Sequence, residues 1–283
     1  MRVIVLTGAE LRHRLFRRVL ATTPGVEVVA SYCEGLEKSL PTLVAREADN
    51  AWRRRHLEAR ERSERDFFQA LVAALPEHSN PVALAKGAIN DALHVAAIEA
   101  TAPDLVLAYG CSLIKSSLLQ TFRGRLVNLH LGLSPYYRGS GTNYWPLVNG
   151  EPEYVGATWL HMDEGIDTGA IIHQHRAVVA WGDSPSQIGN RLILHAAKLS
   201  RALVTRFTCL EAMPQPAVPA AVRVYRKRDY SEASVAELYR QFESGLVARY
   251  LAEASSRQAA APIVHHPRLL DLEPEFGPGE LLP

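Results

Sequence analysis

Apolar and polar positions follow two periodicities along this chain, and each change of period marks an element. Residues 3–6 form a β-branched apolar run that stops at Thr7-Gly8. Leu11, Leu15, Phe16, Val19 and Leu20 then recur at helical spacing. Pro24-Gly25 breaks that pattern, and residues 26–30 read as a second buried strand. Strand, helix, strand in this order predicts parallel strands joined by helical crossovers. Residues 46–75 read as one long helix docked by Trp52, Phe67, Phe68 and Leu71. Strands are expected at 82–85, 104–110 and 126–129, with a helix at 92–100. Residues 155–160 and 170–179 read as a strand pair. Ser184-Pro185-Ser186-Gln187 is a capping box with proline at the first helical position, opening a helix to about residue 208. Pro214, Pro216 and Pro219 mark a linker, Ser234 and Glu237 are expected to cap a helix to about residue 254, and the proline-rich tail reads as irregular. The expected fold class is α/β. It is a Rossmann-like, open, mostly parallel sheet with helices on both faces and a small C-terminal helical extension. Residues 1–209 form the main unit and 210–283 the linker, helix and tail.

Composition narrows the function more than the fold. A chain of 283 residues with 47% hydrophobic positions can bury a core without staples. The formal net charge of +1 gives no global field for nucleic acid or an acidic membrane. Arg53, Arg54, Arg55, Arg60, Arg62 and Arg65 crowd the long helix, but Glu47, Asp49, Glu58, Glu61, Glu64 and Asp66 nearly cancel them. Glu58 to Arg62 and Glu61 to Arg65 have the i,i+4 order of a solvated face. Cys33, Cys111 and Cys209 are scattered, with no metal-ligand spacing, so no metal site or disulfide framework is expected and a reduced, cytoplasmic setting is. The N-terminus reaches charge too early for a signal peptide, and no run approaches the roughly 20 apolar residues of a membrane span. His265-His266 in the tail is expected to be solvated.

Candidate chemistry concentrates between residues 104 and 174. Asn128 and His130 stand two apart at an expected strand end, so both side chains point to one face. Strand ends of open parallel sheets are where ligands bind. A polar, glycine-rich loop, His161-Met-Asp163-Glu-Gly165-Ile-Asp167-Thr-Gly169, follows a later strand. These residue types suit acyl transfer to an amine. An amide side chain can donate to the developing oxyanion, a histidine can move the amine proton near neutral pH, and a carboxylate can orient the histidine.

Together, Asn128-x-His130, Pro135, Arg138-Gly139 and Asp167-Thr168-Gly169 resemble the folate-dependent formyltransferase family. The stretch 104–115, with Tyr109-Gly110 and Leu113-Ile114-Lys115, is similar as well. Attack by an amine requires no Lewis acid, so no metal is expected. The resemblance implies a formyl donor, 10-formyltetrahydrofolate. It implies that Asn128 holds the formyl oxygen, that His130 assists proton transfer, and that Asp167 positions His130 or an intervening water. It further implies a pterin pocket lined by backbone of Ser112 and Ile114, by the Leu113 side chain, and by Met162, Asp163 and Gly165. Two departures stand out: His130-Leu131-Gly132 replaces the family's frequent His-Pro-Ser, and Leu160 stands where a histidine is frequent.

The acceptor is expected against Tyr136, Tyr137, Arg138, Gly139, Thr142 and Asn143, near Lys86 and Asn90. The purine-pathway acceptor is disfavoured, because Thr7-Gly8-Ala9-Glu10-Leu11 lacks a glycine-rich phosphate cradle and Glu10 would repel phosphate. A tRNA acceptor is disfavoured, because the 74 residues after Cys209 do not show the evenly spaced strands of a barrel. A small-molecule amine remains, foremost an amino sugar on a nucleotide carrier. A homodimer is left open. The rival readings are a hydrolase that releases formate to water and a non-catalytic folate-binding protein.

Overall fold

The computed structural model describes residues 1–35, 50–217 and 222–270. The first unit is β1 (Arg2–Gly8), α1 (Leu11–Ala21) and β2 (Glu27–Glu34), as the apolar pattern predicts. Next come α2 (Ala51–Ala74), β3 (Pro81–Leu84), α3 (Ala92–Ala100), β4 (Leu105–Tyr109), α4 (Ser116–Thr121) and β5 (Leu126–His130). β6 (Tyr137–Gly139), α5 (Trp145–Val148), β7 (Gly156–His161) and β8 (Ile171–Arg176) lead into the long α6 (Pro185–Arg206). The chain continues as β9 (Arg223–Tyr225), α7 (Glu232–Glu243), α8 (Leu246–Ala260) and α9 (Pro267–Leu270).

Seven strands form the main sheet in the order β3-β2-β1-β4-β5-β7-β8. The first five run parallel, while β7 lies antiparallel to β5 and β8 antiparallel to β7. The central strands read as unbroken apolar runs because helices cover both of their faces: Val3, Ile4, Val5 and Leu6 are all buried. Val3, Val5, Leu105, Leu107, Val127 and Leu129 join the larger cluster with α1, α2 and α6. Ile4, Leu6, Val106, Ala108 and Leu126 join the smaller one with Ile98 and Leu118. α6 starts as predicted, with Ser184 and Gln187 exchanging capping hydrogen bonds and Pro185 in the first turn.

Three expectations change. The helix predicted over 46–75 begins at Ala51, capped by Asn50, and residues 46–49 lie outside the described residues. It turns Leu57, Glu64, Phe68 and Val72 inward, while Trp52 packs on Tyr239 of α7. The single helix expected after Ser234 is two, broken at Ser244-Gly245, and its cap is Ser231, whose hydroxyl accepts from the Ser234 amide. Finally, His266 is buried, not solvated. Its amide donates to His173 Nδ1, and its own Nε2 accepts from the Glu211 amide. The cause is the edge of β8: Val264 pairs with Gln174 and Met213 with Ile171, which covers backbone groups an edge strand leaves open. Residues 271–283 of the tail lie outside the described residues.

Candidate active site

β5 ends in the middle of the sheet, between β4 and the antiparallel β7. Asn128 pairs with Ala108 on one side and Leu160 on the other, which fixes its height and its face. His130 follows on the same face and is only 6% exposed. Its Nε2 lies 3.0 Å from the Tyr137 carbonyl oxygen. A carbonyl only accepts, so Nε2 carries hydrogen and Nδ1 points to the other side. There it meets Asp167 Oδ2 at 3.4 Å. The ring is wedged as well as bonded, since a Cβ on Gly132 would lie 2.4 Å from His130 Nε2.

Asp167 comes from the loop between β7 and β8 and adopts a left-handed backbone, φ 53°. Such a conformation is uncommon for a residue with a Cβ and needs support from its surroundings. Support comes from several sides. Asp167 Oδ2 accepts from the Gly139 amide at 2.8 Å, and Oδ1 accepts from Asn128 Nδ2 at 3.3 Å. Gln215 donates to the carbonyls of Asp167 (2.7 Å) and Gly169 (2.9 Å), while its own oxygen accepts from Arg138 (2.5 Å). Gly139 sits at φ 92°, and a Cβ there would lie 2.1 Å from the Tyr225 carbonyl oxygen of β9, so this crossing admits only glycine. Two side chains, Asn128 and His130, and the Gly139 amide thus converge on one carboxylate.

The other residues singled out in the sequence fall into two groups. Ile114 is buried and Met162 packs against the same apolar cluster, while Leu113 is 70% exposed. Asp163 ties its own loop by accepting from the Gly165 amide (3.0 Å) and the Thr168 hydroxyl (2.6 Å). The Ser112 amide is committed to Glu34 at 2.6 Å. On the opposite loop, Tyr136 and Tyr137 are buried. The Tyr136 hydroxyl donates to the Pro262 carbonyl, and Tyr137 bonds Glu151 (2.5 Å) and Asn149 (2.8 Å). Burial foremost, then the Glu151 carboxylate, pushes the Tyr137 phenol well above its ordinary range. The Thr142 hydroxyl donates to the Leu131 carbonyl, and Asn143 Oδ1 is buried without a partner. Lys86 pairs with Glu34 at 3.3 Å. Asn90 bonds the Leu113 carbonyl and the Lys115 amide.

Among the described residues no group of three or more His, Cys, Asp or Glu could hold a metal ion, and no helix is long and apolar enough to cross a membrane. A model of the formyl transferase family matches residues 38–204, more than half of the chain.

The chain belongs to the formyl transferase family.

Among its relatives, a methionyl-tRNA formyltransferase of Desulforamulus reducens is 34% identical over 115 residues, 41% of this chain and 35% of that protein. The chain therefore spans about a third of that relative's length. The fold matches a sugar N-formyltransferase of a Shewanella species with a TM-score of 0.54 and 17% identity, over 81% of this chain and 78% of that one. It also matches an N-formyltransferase of Helicobacter canadensis, solved with folinic acid and dTDP-3-aminofucose (TM-score 0.51, 15% identity, 82% of this chain and 73% of that one).

Sequence reasoning about this family member passed over Glu34 and Gln215. Glu34 carried a signal, being the carboxylate that closes the strand Glu-Val-Val-Ala-Ser-Tyr-Cys-Glu at the ligand-binding end of the sheet. Gln215 carried none, since it lies 48 residues from Asp167 in a segment read as linker.

Proposed function

We propose that this protein transfers a formyl group from 10-formyltetrahydrofolate to a primary amine of a small molecule. The observation that carries the reading is the convergence of Asn128 and His130 on Asp167. Asn128 has two amide hydrogens. One goes to Asp167, and the second is available to the formyl oxygen as negative charge develops there. His130, with Nε2 held by Tyr137, works through Nδ1. It takes a proton from the attacking amine and returns one to the departing folate nitrogen, so that the N–C bond formed and the N–C bond broken leave no net change in protonation. Asp167 holds the histidine in register and stabilises the proton while the ring carries it.

For the acceptor, we favour an amino sugar on a nucleotide carrier. The support is threefold. Glu10, at the start of α1, is engaged by Arg12 and Arg60, so a carboxylate already occupies a helix N-terminus of the kind that binds phosphate. Residues 222–270 are helices and one short strand paired to β6, rather than a barrel able to hold a tRNA. The Helicobacter neighbour is described with a sugar nucleotide. The test is a screen of amines with 10-formyltetrahydrofolate, following folate release together with product mass. Nucleotide-linked amino sugars should gain 28 mass units (one formyl for one hydrogen). Formate release with no formylated product from any amine would establish the hydrolase instead.

A further inference from the structure

One buried carboxylate outside the catalytic trio gathers donors from two loops. Glu34 ends β2, and its side chain is 0% exposed. Oε2 accepts from the Ser112 amide at 2.6 Å and pairs with Lys86 Nζ at 3.3 Å. Oε1 accepts from the amides of Gly87 (2.9 Å) and Ile89 (3.3 Å). Asn90 makes a second link between the same loops: Nδ2 donates to the Leu113 carbonyl (3.0 Å), and Oδ1 accepts from the Lys115 amide (2.8 Å). The two links bracket Leu113, whose side chain projects into the open. Residues 111–115 have no regular secondary structure, so these side chains supply the order that a helix or ladder would supply elsewhere.

We propose that Glu34 and Asn90 form a two-point latch that holds loop 111–115 in the shape that receives the folate, which makes both positioning residues for the donor and removes Lys86 and Asn90 from the acceptor's contacts. The inference rests on the reading of loop 111–115 as part of the folate pocket. Backbone recognition of a flat heterocycle demands a loop already in place, because any ordering on binding subtracts from affinity. The chemistry of the latch requires an ionised acceptor. Burial alone would raise the Glu34 carboxyl, but the Ser112 hydrogen bonds, the Lys86 charge and the Ile89 amide outweigh it and hold it below its ordinary range. An amide in that place would turn an N–H toward groups that themselves donate, whichever way it faced.

The experiment is calorimetric titration of the wild type, Glu34→Gln and Asn90→Ala with 5-formyltetrahydrofolate, joined to thermal melting and to amide hydrogen exchange of the ligand-free proteins. Each variant should raise Kd about tenfold or more, with stoichiometry unchanged, as expected for lost hydrogen bonds that preorganise a site. The Ser112 amide in Glu34→Gln and the Lys115 amide in Asn90→Ala should exchange faster. A merely structural role lowers the melting temperature or the stoichiometry and leaves Kd where it was, and that result would overturn the latch. Should Glu34→Gln not fold, Asn90→Ala decides alone, because Asn90 lies on a partly exposed loop. A wild type that does not bind the probe would overturn the folate reading itself, whereas binding by wild type and both variants with equal Kd would overturn only the latch.

Discussion

The carboxyl ends of β5 and β1 lie in one sheet, and each brings a histidine close to carboxylates and a glycine. At β5, Asn128, His130 and Asp167 meet through long contacts of 3.3 and 3.4 Å, with donor capacity left over. At β1, the Glu10 amide donates to His13 Nδ1 at 3.3 Å, and the His13 ring packs edge-on against Tyr109 at 4.8 Å. Arg12 pairs there with both Glu10 and Glu64, and Arg60 with the same two carboxylates. Burial, then the charges of Arg12, Arg60, Lys86 and Arg17, hold His13 well below its ordinary pKa, hence neutral. At β1 the charges thus cancel one another and the histidine is locked in one form. The β5 cluster is open, with hydrogen bonds unspent. A histidine beside carboxylates is not in itself a site; what distinguishes one is capacity left for a ligand.

The comparison predicts opposite responses to substitution. Asn128→Ala should slow formyl transfer by roughly a hundred- to a thousandfold, as for one lost oxyanion donor. His130→Ala should cost a similar order. Both should melt close to wild type, and the double variant should lose less than the product of the two, because the groups act together. Turnover measured alongside melting decides it: variants that melt early yet turn over normally would reduce the trio to a structural role.

Glu64→Ala should do the reverse. It leaves the buried Arg12 without one of its two carboxylates, at a cost of about 3 kcal/mol. For a chain of this size that lowers the melting temperature by roughly 5–10 °C, while the folate Kd stays near wild type. A folate Kd that rose with unchanged melting would place the β1 cluster in the site after all.

A smaller loss is expected from Gln215→Ala, which removes the brace on the Asp167 and Gly169 carbonyls. Turnover should fall roughly tenfold through misplacement of the carboxylate, and Gln215→Glu, which presents acceptors to those carbonyls, should not rescue it. Equal activity in both variants would show that the Gly139 amide and Asn128 suffice to hold Asp167.

The smallest effect is a pH slope in stability. His56 and His195 are both pushed down to about 4, chiefly by burial, with Arg60 adding at the first and His175 at the second. Their folded pKa lies below the ordinary value of about 6.5, so between the two the unfolded chain binds more protons. Their contribution is complete above pH 6.5 and is lost as pH falls toward 4. Melting scanned from pH 7 to pH 4 should therefore decline, and His195→Gln should flatten the slope. An unchanged slope would mean that His195 is solvated in both states.

What the sequence determined by itself was whatever depends on near neighbours in the chain. Apolar runs at 3–6 and 126–129 give buried strands, and Ser184 to Gln187 caps a helix because its partners stand three apart. The two-residue spacing of Asn128 and His130 places them on one face for the same reason, whereas their partner Asp167, 39 residues beyond Asn128, was implied only by the resemblance to the formyltransferase family. The tertiary structure decided what depends on long-range pairing. It put Tyr137's carbonyl, rather than a carboxylate, on His130 Nε2, and it put Gln215 beneath Asp167. It also set Glu34 against Ser112, 78 residues on. Backbone carbonyls carry no sequence signature, and an amide or carboxylate reads as surface until a parallel sheet brings two strand ends side by side. His266 failed as a prediction for the same cause: proline-rich composition describes local irregularity, whereas its burial follows from an open strand edge that only the assembled sheet possesses.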